Sequence, residues 1–336
     1  MPTTIAVLGD GAWGTAVALL LARVPGQHIR LWSARPENAE ILKTRRENVR
    51  FLPGVAIPPV IELTADPAAA VRAADLWVSA IPTVHLRATL GRFREFATPA
   101  TAVVSLTKGI EIGTFRRPAE IIADILGTDR VAALSGPTHA EEVCHGMPTS
   151  AVIAGADGAL TAWAQQCFST DRFRVYTNPD LVGVELAGAL KNVIGVAAGM
   201  SDGLGFGDNA KAALLTRGLV EMTRFGVAHG AEPDTFQGLA GVGDLIATCF
   251  SRHGRNRRLG ERVGRGESLA AVVADSPAVV EGVTTARSVH ERTRPLDLEM
   301  PITSAVYRVL YDGVLPAIAF HELMARRSGS ERGRTR

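Results

Sequence analysis

Cysteine is scarce in this chain: Cys144, Cys167 and Cys249 are the only three in 336 residues. They are scattered, with no pair at metal-ligand spacing, which excludes a disulfide framework and fits a reducing compartment. A dominant charge sign is lacking too. Lys and Arg number 36 against 34 Asp and Glu, a formal net charge of +2, too little to argue for nucleic acid or a membrane surface as partner. No uninterrupted apolar stretch reaches the roughly 18–20 residues of a membrane-spanning helix. No signal peptide precedes the first apolar run, which begins at Ile5. None of the eight histidines stands in a metal-ligand or triad spacing, so no metal is expected. The expectation is a cytoplasmic globular protein, long enough for two domains.

The first half alternates short β-branched runs with helical patterns. Strands are expected at Thr4–Leu8, Ile29–Trp32, Leu76–Ala80, Ala102–Leu106 and Val131–Leu134, with weaker ones at Ala151–Ala154 and Arg174–Tyr176. Helical spacing marks Ala16–Arg23 and Pro118–Leu126 between them. Such alternation predicts a mostly parallel sheet covered by helices on both faces. From about Asp180 the strand signal fades. Helical runs follow at Leu181–Ala198, Asn209–Gly226, Leu259–Arg265, Ala286–Glu291 and Thr303–Leu310, and Pro316 is placed to start a last helix.

Gly9-Asp10-Gly11-Ala12-Trp13-Gly14 fits the G-x-G-x-x-G pattern. It follows the first expected strand and opens an Ala/Leu-rich helix, with a second strand after it. In that frame the glycines at 9, 11 and 14 permit a tight turn and a close approach of backbone to pyrophosphate. The helix N-terminus adds free N–H donors and a partial positive charge. The fold class read from this is α/β plus all-α. A Rossmann-type dinucleotide-binding domain spans residues 1–185, an all-helical domain 186–325, and a disordered basic tail 326–336. At the end of the second strand, Leu31-Trp32-Ser33-Ala34-Arg35-Pro36 holds no carboxylate. Arg35 is therefore a candidate for the 2′-phosphate of NADP, since guanidinium binds phosphate in a planar, bidentate way; an exposed surface cation is its other reading.

Ligands of doubly wound sheets bind beyond the carboxyl ends of the strands. Lys108, after Ala102–Leu106, and Ser135-Gly136-Pro137-Thr138, after Val131–Leu134, are expected on that edge. Lys191 sits in the apolar helix Val184–Gly195, with Ala187, Gly188, Ile194 and Gly195 one turn away. Those small neighbours are expected to leave room for another molecule. Burial lowers a lysine pKa by up to about 3–5 units, and a base acting near neutrality requires only about 2–3. Lys191 is therefore the acid/base candidate and Lys108 the electrostatic one. Asp244, between glycines in Gly241–Leu245, either orients Lys191 or caps a helix. Arg255-Asn256-Arg257-Arg258 groups three guanidiniums, expected in a glycine-containing loop that captures an anion.

These segments, in this order, resemble the bacterial-type NAD(P)-dependent glycerol-3-phosphate dehydrogenases over nearly the whole chain. Further matches are Gly199–Gly207, Val280-Glu281-Gly282 and Glu299-Met300-Pro301-Ile302. The resemblance implies that Ala12, Trp13, Lys108, Ala140, Arg255, Val279 and Glu281 contact an NAD(P)H cofactor. It implies that Lys108, Gly136, Thr138, Lys191, Asp244, Arg255 and Asn256 surround the substrate, with Lys191 as proton acceptor. Gly254 stands where the family commonly has a serine on the substrate, and Ala34 where a basic residue often touches the cofactor. A homodimer feeding glycerol 3-phosphate into phospholipid synthesis is implied as well. Two other readings fit the residues: a related two-domain 3-hydroxy acid dehydrogenase, whose carboxylate substrate the arginines would also suit, and a non-catalytic NAD(P) sensor. A sensor has no need of a desolvated lysine.

Overall fold

The computed structural model describes residues 3–251, 253–275, 279–293, 296 and 298–327. The expected tail lies mostly outside these residues; within them, Arg326 pairs with Glu299 at 3.3 Å.

The N-terminal half begins β1 (Thr3–Leu8), α1 (Ala12–Leu21), β2 (Gln27–Trp32) and α2 (Pro36–Arg45). A small hairpin of β3 (Glu47–Asn48) and β4 (Leu52–Ala56) leads to β5 (Ile61–Thr64) and α3 (Pro67–Val71). Then come β6 (Leu76–Ser79), α4 (Thr83–Leu90), β7 (Ala102–Ser105), α5 (Pro118–Leu126), β8 (Val131–Ser135) and α6 (Ala140–Cys144). The last pieces are β9 (Thr149–Ala154), α7 (Gly158–Phe168) and β10 (Phe173–Asn178). Eight strands form one sheet in the order β10-β9-β8-β7-β6-β1-β2-β5. All neighbours are parallel except β8 and β9. Residues of β6, β7 and β8 are buried throughout, as expected of strands covered on both faces. The chain runs outward from β1 to β2 and β5 on one side, and to β6, β7 and β8 on the other. The switch at β1 opens the crevice in which doubly wound sheets bind ligands.

Strand and helix positions agree with the sequence pattern to within a few residues, but the pattern missed several elements. β5, α2, α3, α4, α6 and α7 are short or only weakly amphipathic, and tertiary packing rather than periodicity holds them in place.

Helices make up the second half: α8 (Leu181–Gly203), α9 (Asp208–Ala228), α10 (Asp244–Phe250), α11 (Arg255–Gly264), α12 (Leu269–Ala274), α13 (Glu281–Thr293), α14 (Pro301–Tyr311) and α15 (Pro316–Met324). The change of architecture falls at Asp180, whose carboxylate accepts from Gly183 N at 2.7 Å and caps α8. The expected division between residues 185 and 186 lies inside that helix. With a mean hydropathy of 1.5, α8 is long and apolar enough to cross a membrane by length and composition, although Glu185, Lys191 and Asn192 interrupt its apolar run. It is instead the core helix of this half, 83% of its apolar window being buried in protein.

α11 lies directly against α8. A Cβ on Gly199 would run into the Arg257 carbonyl, and one on Gly260 into the Val196 carbonyl. Backbone therefore meets backbone, and the N-terminus of α11 is carried on the same rigid pair as Lys191. The expected loop at 255–258 is in fact the first turn of α11, capped by Gly254.

Candidate active site

Three elements converge at the carboxyl edge of the sheet. β7 leads into Lys108, β8 into Gly136 and Thr138, and α8 crosses behind them with Lys191 on its buried face. Lys191 Nζ lies 3.1 Å from Asp244 Oδ1 and donates to Thr248 Oγ1 at 2.6 Å. The other Asp244 oxygen, Oδ2, accepts from Lys108 Nζ at 2.7 Å. Lys108 also donates to the Gly136 carbonyl at 2.9 Å and meets Thr138 Oγ1 at 3.4 Å. One carboxylate thus bridges two ammonium groups supplied by the two halves of the chain. Of the two readings left open for Asp244, orientation of the lysine is the one its side chain serves, and Gly243 occupies the cap position of α10.

Burial sets the electrostatics. Lys191 is 7% exposed and Asp244 2%. Desolvation pushes the Lys191 ammonium down from 10.5 to about 8; Asp244 opposes the fall and the Lys108 charge assists it. For Asp244, burial pushes the carboxyl up, but the Lys108 and Lys191 charges outweigh it and hold the group below its ordinary value.

The small neighbours of Lys191 do not leave the space expected of them. A Cβ on Gly188 would come 2.8 Å from Ser135 Oγ and 3.6 Å from Lys108 Cγ. One on Gly195 would come 2.6 Å from Thr248 Cγ2 and 3.4 Å from Asn256 Cβ. The room is taken by the site's own side chains. The glycines bring those groups up to Lys191 rather than opening a gap for substrate.

Asn256 is joined to this cluster through Asn192. Its Nδ2 donates to Asn192 Oδ1 at 2.8 Å, and its Oδ1 accepts from Gly282 N at 2.9 Å. Arg255 projects from the first turn of α11 and donates to the Val279 carbonyl at 3.1 Å. The expected cluster of three anion-capturing arginines is not realised. Arg257 turns to Asp202 at 2.7 Å and Glu261 at 3.5 Å, tying α11 to α8. At Gly254 a Cβ would lie 2.8 Å from the Thr248 carbonyl. The backbone there leaves little space for the side-chain hydroxyl that the resemblance led one to expect.

Each glycine of the loop answers to a separate need. Gly9 has φ +117°, which a side chain would strain. A Cβ on Gly14 would collide with the Gly9 carbonyl, so this residue sets the approach of α1 to the loop. Gly11 has nothing within 4 Å of where its Cβ would stand. No protein atom requires glycine there, which fits an approaching pyrophosphate. Among the described residues, besides Gln27 Oε1, Ser201 Oγ and Thr285 Oγ1, five more side-chain atoms are buried without a hydrogen-bond partner: Trp13 Nε1, Ser79 Oγ, Thr83 Oγ1, Ser135 Oγ and Glu281 Oε2. Native proteins seldom leave such atoms unsatisfied, and all five belong to the loop, the strand ends or the segments docked on them. The residues fit a bound dinucleotide.

Glu281 reaches this edge from α13. Its Oε1 accepts from Thr83 N at 2.9 Å, and burial pushes its carboxyl up. Ala140 opens α6 behind His139. Arg35 is exposed at the start of α2. A cleft of about 340 Å³ between the 298–301 segment, α14 and α15 shares no residue with this site.

The sequence reading missed three groups. Thr248 holds Lys191, and its spacing four residues after Asp244, one helical turn, was a usable signal. Asn192 links Asn256 to Lys108, donating to the Lys108 carbonyl at 3.3 Å. Thr83 meets Glu281 from 198 positions away, a distance that no local signal spans.

Comparison with known proteins agrees with this arrangement. The model of the NAD-dependent glycerol-3-phosphate dehydrogenase N-terminus matches residues 4–161, and that of the C-terminus residues 180–321. A glycerol-3-phosphate dehydrogenase (NAD(P)+) of Chlorobium phaeobacteroides is 47% identical over 332 residues, covering 98% of this chain and 99% of its own. One from Moorella thermoacetica is 48% identical over 313 residues, 93% of each. The crystal structure of glycerol-3-phosphate dehydrogenase from Coxiella burnetii superposes with a TM-score of 0.92 at 36% identity, covering 96% of this chain and 99% of that one. With both halves matched and its length spanned, the chain belongs to the NAD-dependent glycerol-3-phosphate dehydrogenase family.

Proposed function

We propose that Lys191 is the proton-transfer group with which this NAD(P)-dependent enzyme interconverts glycerol 3-phosphate and dihydroxyacetone phosphate. The observation that carries the assignment is the burial of Lys191 within the chain Lys191–Asp244–Lys108, because desolvation there, assisted by the Lys108 charge and opposed by Asp244, brings a lysine to a pKa of about 8. In the oxidation direction the neutral Lys191 amine takes the proton of the C2 hydroxyl; in reduction the ammonium returns it. The nicotinamide, when bound, supplies or accepts the hydride at C2. Lys108 provides a fixed positive charge, held by Gly136, Thr138 and Asp244, beside the oxygen and phosphate of the substrate. Arg255 and Asn256, at the N-terminus of α11, hold the phosphate, with Gly254 contributing backbone alone. The glycine loop with Ala12 and Trp13, together with Ala140, Val279 and Glu281, receives the cofactor, and Arg35 its adenosine ribose.

Residues 1–185 are assigned to cofactor binding and 186–325 to substrate binding and dimerisation. The enzyme is placed in the cytoplasm as a homodimer supplying glycerol 3-phosphate to phospholipid synthesis, a reading supported by the family alone; light scattering tests the dimer. Steady-state reduction of dihydroxyacetone phosphate with NADH and NADPH, beside a 3-oxo acid, tests the substrate. Turnover of the oxo acid and not of the phosphate would refute it.

A further inference from the structure

Trp32 closes β2 and is wholly buried, its indole Nε1 donating to the Ala65 carbonyl at 3.0 Å. Phe93 meets the ring edge-on at 4.8 Å between centroids. The guanidinium of the exposed Arg92 lies over the same ring, 4.8 Å from its centroid, and donates to the Ala34 carbonyl at 3.2 Å. Arg35 is the next residue along. The Trp32 carbonyl accepts from Gly9 N at 3.1 Å, so the glycine loop and both arginines gather on one strand end. Among the described residues neither Arg35 nor Arg92 is engaged by a carboxylate. Asp10 of the glycine loop is hydrogen-bonded by Asn38 Nδ2, and Glu37, two residues after Arg35, lies within the first turn of α2.

The geometry points to Arg92 as a second reader of the cofactor ribose, which with Arg35 receives the 2′-phosphate and makes this enzyme prefer NADPH. The inference rests on the dinucleotide reading of the Gly9–Gly14 loop. A guanidinium has five N–H donors, and Ala34 occupies one. The indole face and the carbonyl fix its plane beforehand, so little ordering remains to be done when phosphate arrives. An NAD-restricted site needs an acceptor for the ribose 2′-hydroxyl, usually a carboxylate at the end of the second strand. Here that place holds Ser33, Ala34 and two cations. Arg92 comes from the short 3-10 helix Gly91–Phe96, 58 positions beyond Ala34, so the local motif at Arg35 does not reveal it.

The alternative is that Arg92 only covers Trp32, and equilibrium binding separates the two. NADPH and NADH are titrated by nucleotide fluorescence into the wild type, Arg92→Gln, Arg92→Lys and Arg35→Gln, with adenosine 2′,5′-bisphosphate as a displacing probe. Loss of one charge-assisted contact to an exposed phosphate should weaken NADPH and the bisphosphate about tenfold in each Gln variant, with NADH changing less than about twofold. Arg92→Lys keeps the charge and should retain part of the preference. Equal weakening of both nucleotides in Arg92→Gln, or no change in either, would overturn the proposal. A wild-type protein that binds neither nucleotide would overturn the cofactor reading itself, and the proposal with it.

Discussion

Replacing Lys191 by Met keeps the length of the side chain and removes its proton. The structure sets the scale of the effect. A pKa lowered from 10.5 to about 8 corresponds to about 3 kcal/mol of preference for the neutral amine. At pH 7.5 about a quarter of such lysines are unprotonated, against about 0.1% of ordinary ones. That two-hundredfold gain in available base is what the buried site provides. General acid–base catalysis contributes about 10²–10⁴ in rate, and kcat of Lys191→Met should fall by that order. The fold should persist, because Asp244 keeps Lys108 at 2.7 Å and is not left as a lone buried charge. Lys191→Arg should rescue little, since a guanidinium does not give up its proton. The assay is kcat for dihydroxyacetone phosphate reduction, with circular dichroism and cofactor titration to show an intact protein. A folded Lys191→Met enzyme with near-normal kcat, or a fully active Lys191→Arg enzyme, would refute the reasoning.

Other perturbations test the surroundings of Lys191. Asp244 raises the lysine pKa and Lys108 lowers it. Asp244→Asn should therefore move the pH midpoint of kcat/KM below about 8 and Lys108→Met should move it above, with shifts of the same sign contradicting the electrostatic account. Arg255→Ala should raise KM for dihydroxyacetone phosphate roughly ten- to a hundredfold, as a charge-assisted hydrogen bond is worth about 1.5–3 kcal/mol; an unchanged KM would remove Arg255 from the site. Gly195→Ala would set a methyl 2.6 Å from Thr248 Cγ2. It should cost about 1–3 kcal/mol in denaturant unfolding and lower kcat, whereas a more stable, fully active variant would show that the space is not needed.

Much of this was legible in the sequence because it is local. The glycine loop, the strand before it and the helix after it are consecutive, and Lys191 announced itself as a charge in an apolar helix. The Arg255–Arg258 segment was harder to read: three arginines within four residues look alike on paper, yet one helical turn sends Arg257 to Asp202 while Arg255 faces Val279. Gly188 and Gly195 were seen correctly as small, but whether small residues border a void or a tightly packed neighbour is a tertiary matter. Asn192, Thr83 and Arg92 act through partners 58 or more positions away, and periodicity carries no information about such pairs. The β8–β9 antiparallel pairing likewise follows from the path of the chain and not from strand composition.

The claim on which the account turns is that Lys191 changes its protonation state near pH 8 inside the active site. The pH dependence of kcat/KM, measured in both directions on the wild-type enzyme, reports the free-enzyme ionisation. Oxidation of glycerol 3-phosphate requires the neutral amine and should rise with pH to a plateau. Reduction of dihydroxyacetone phosphate requires the ammonium and should fall over the same interval. Both curves should share a midpoint near 8 and disappear together in Lys191→Met. A midpoint near the ordinary lysine value of 10.5, or the same limb persisting in Lys191→Met, would contradict the account.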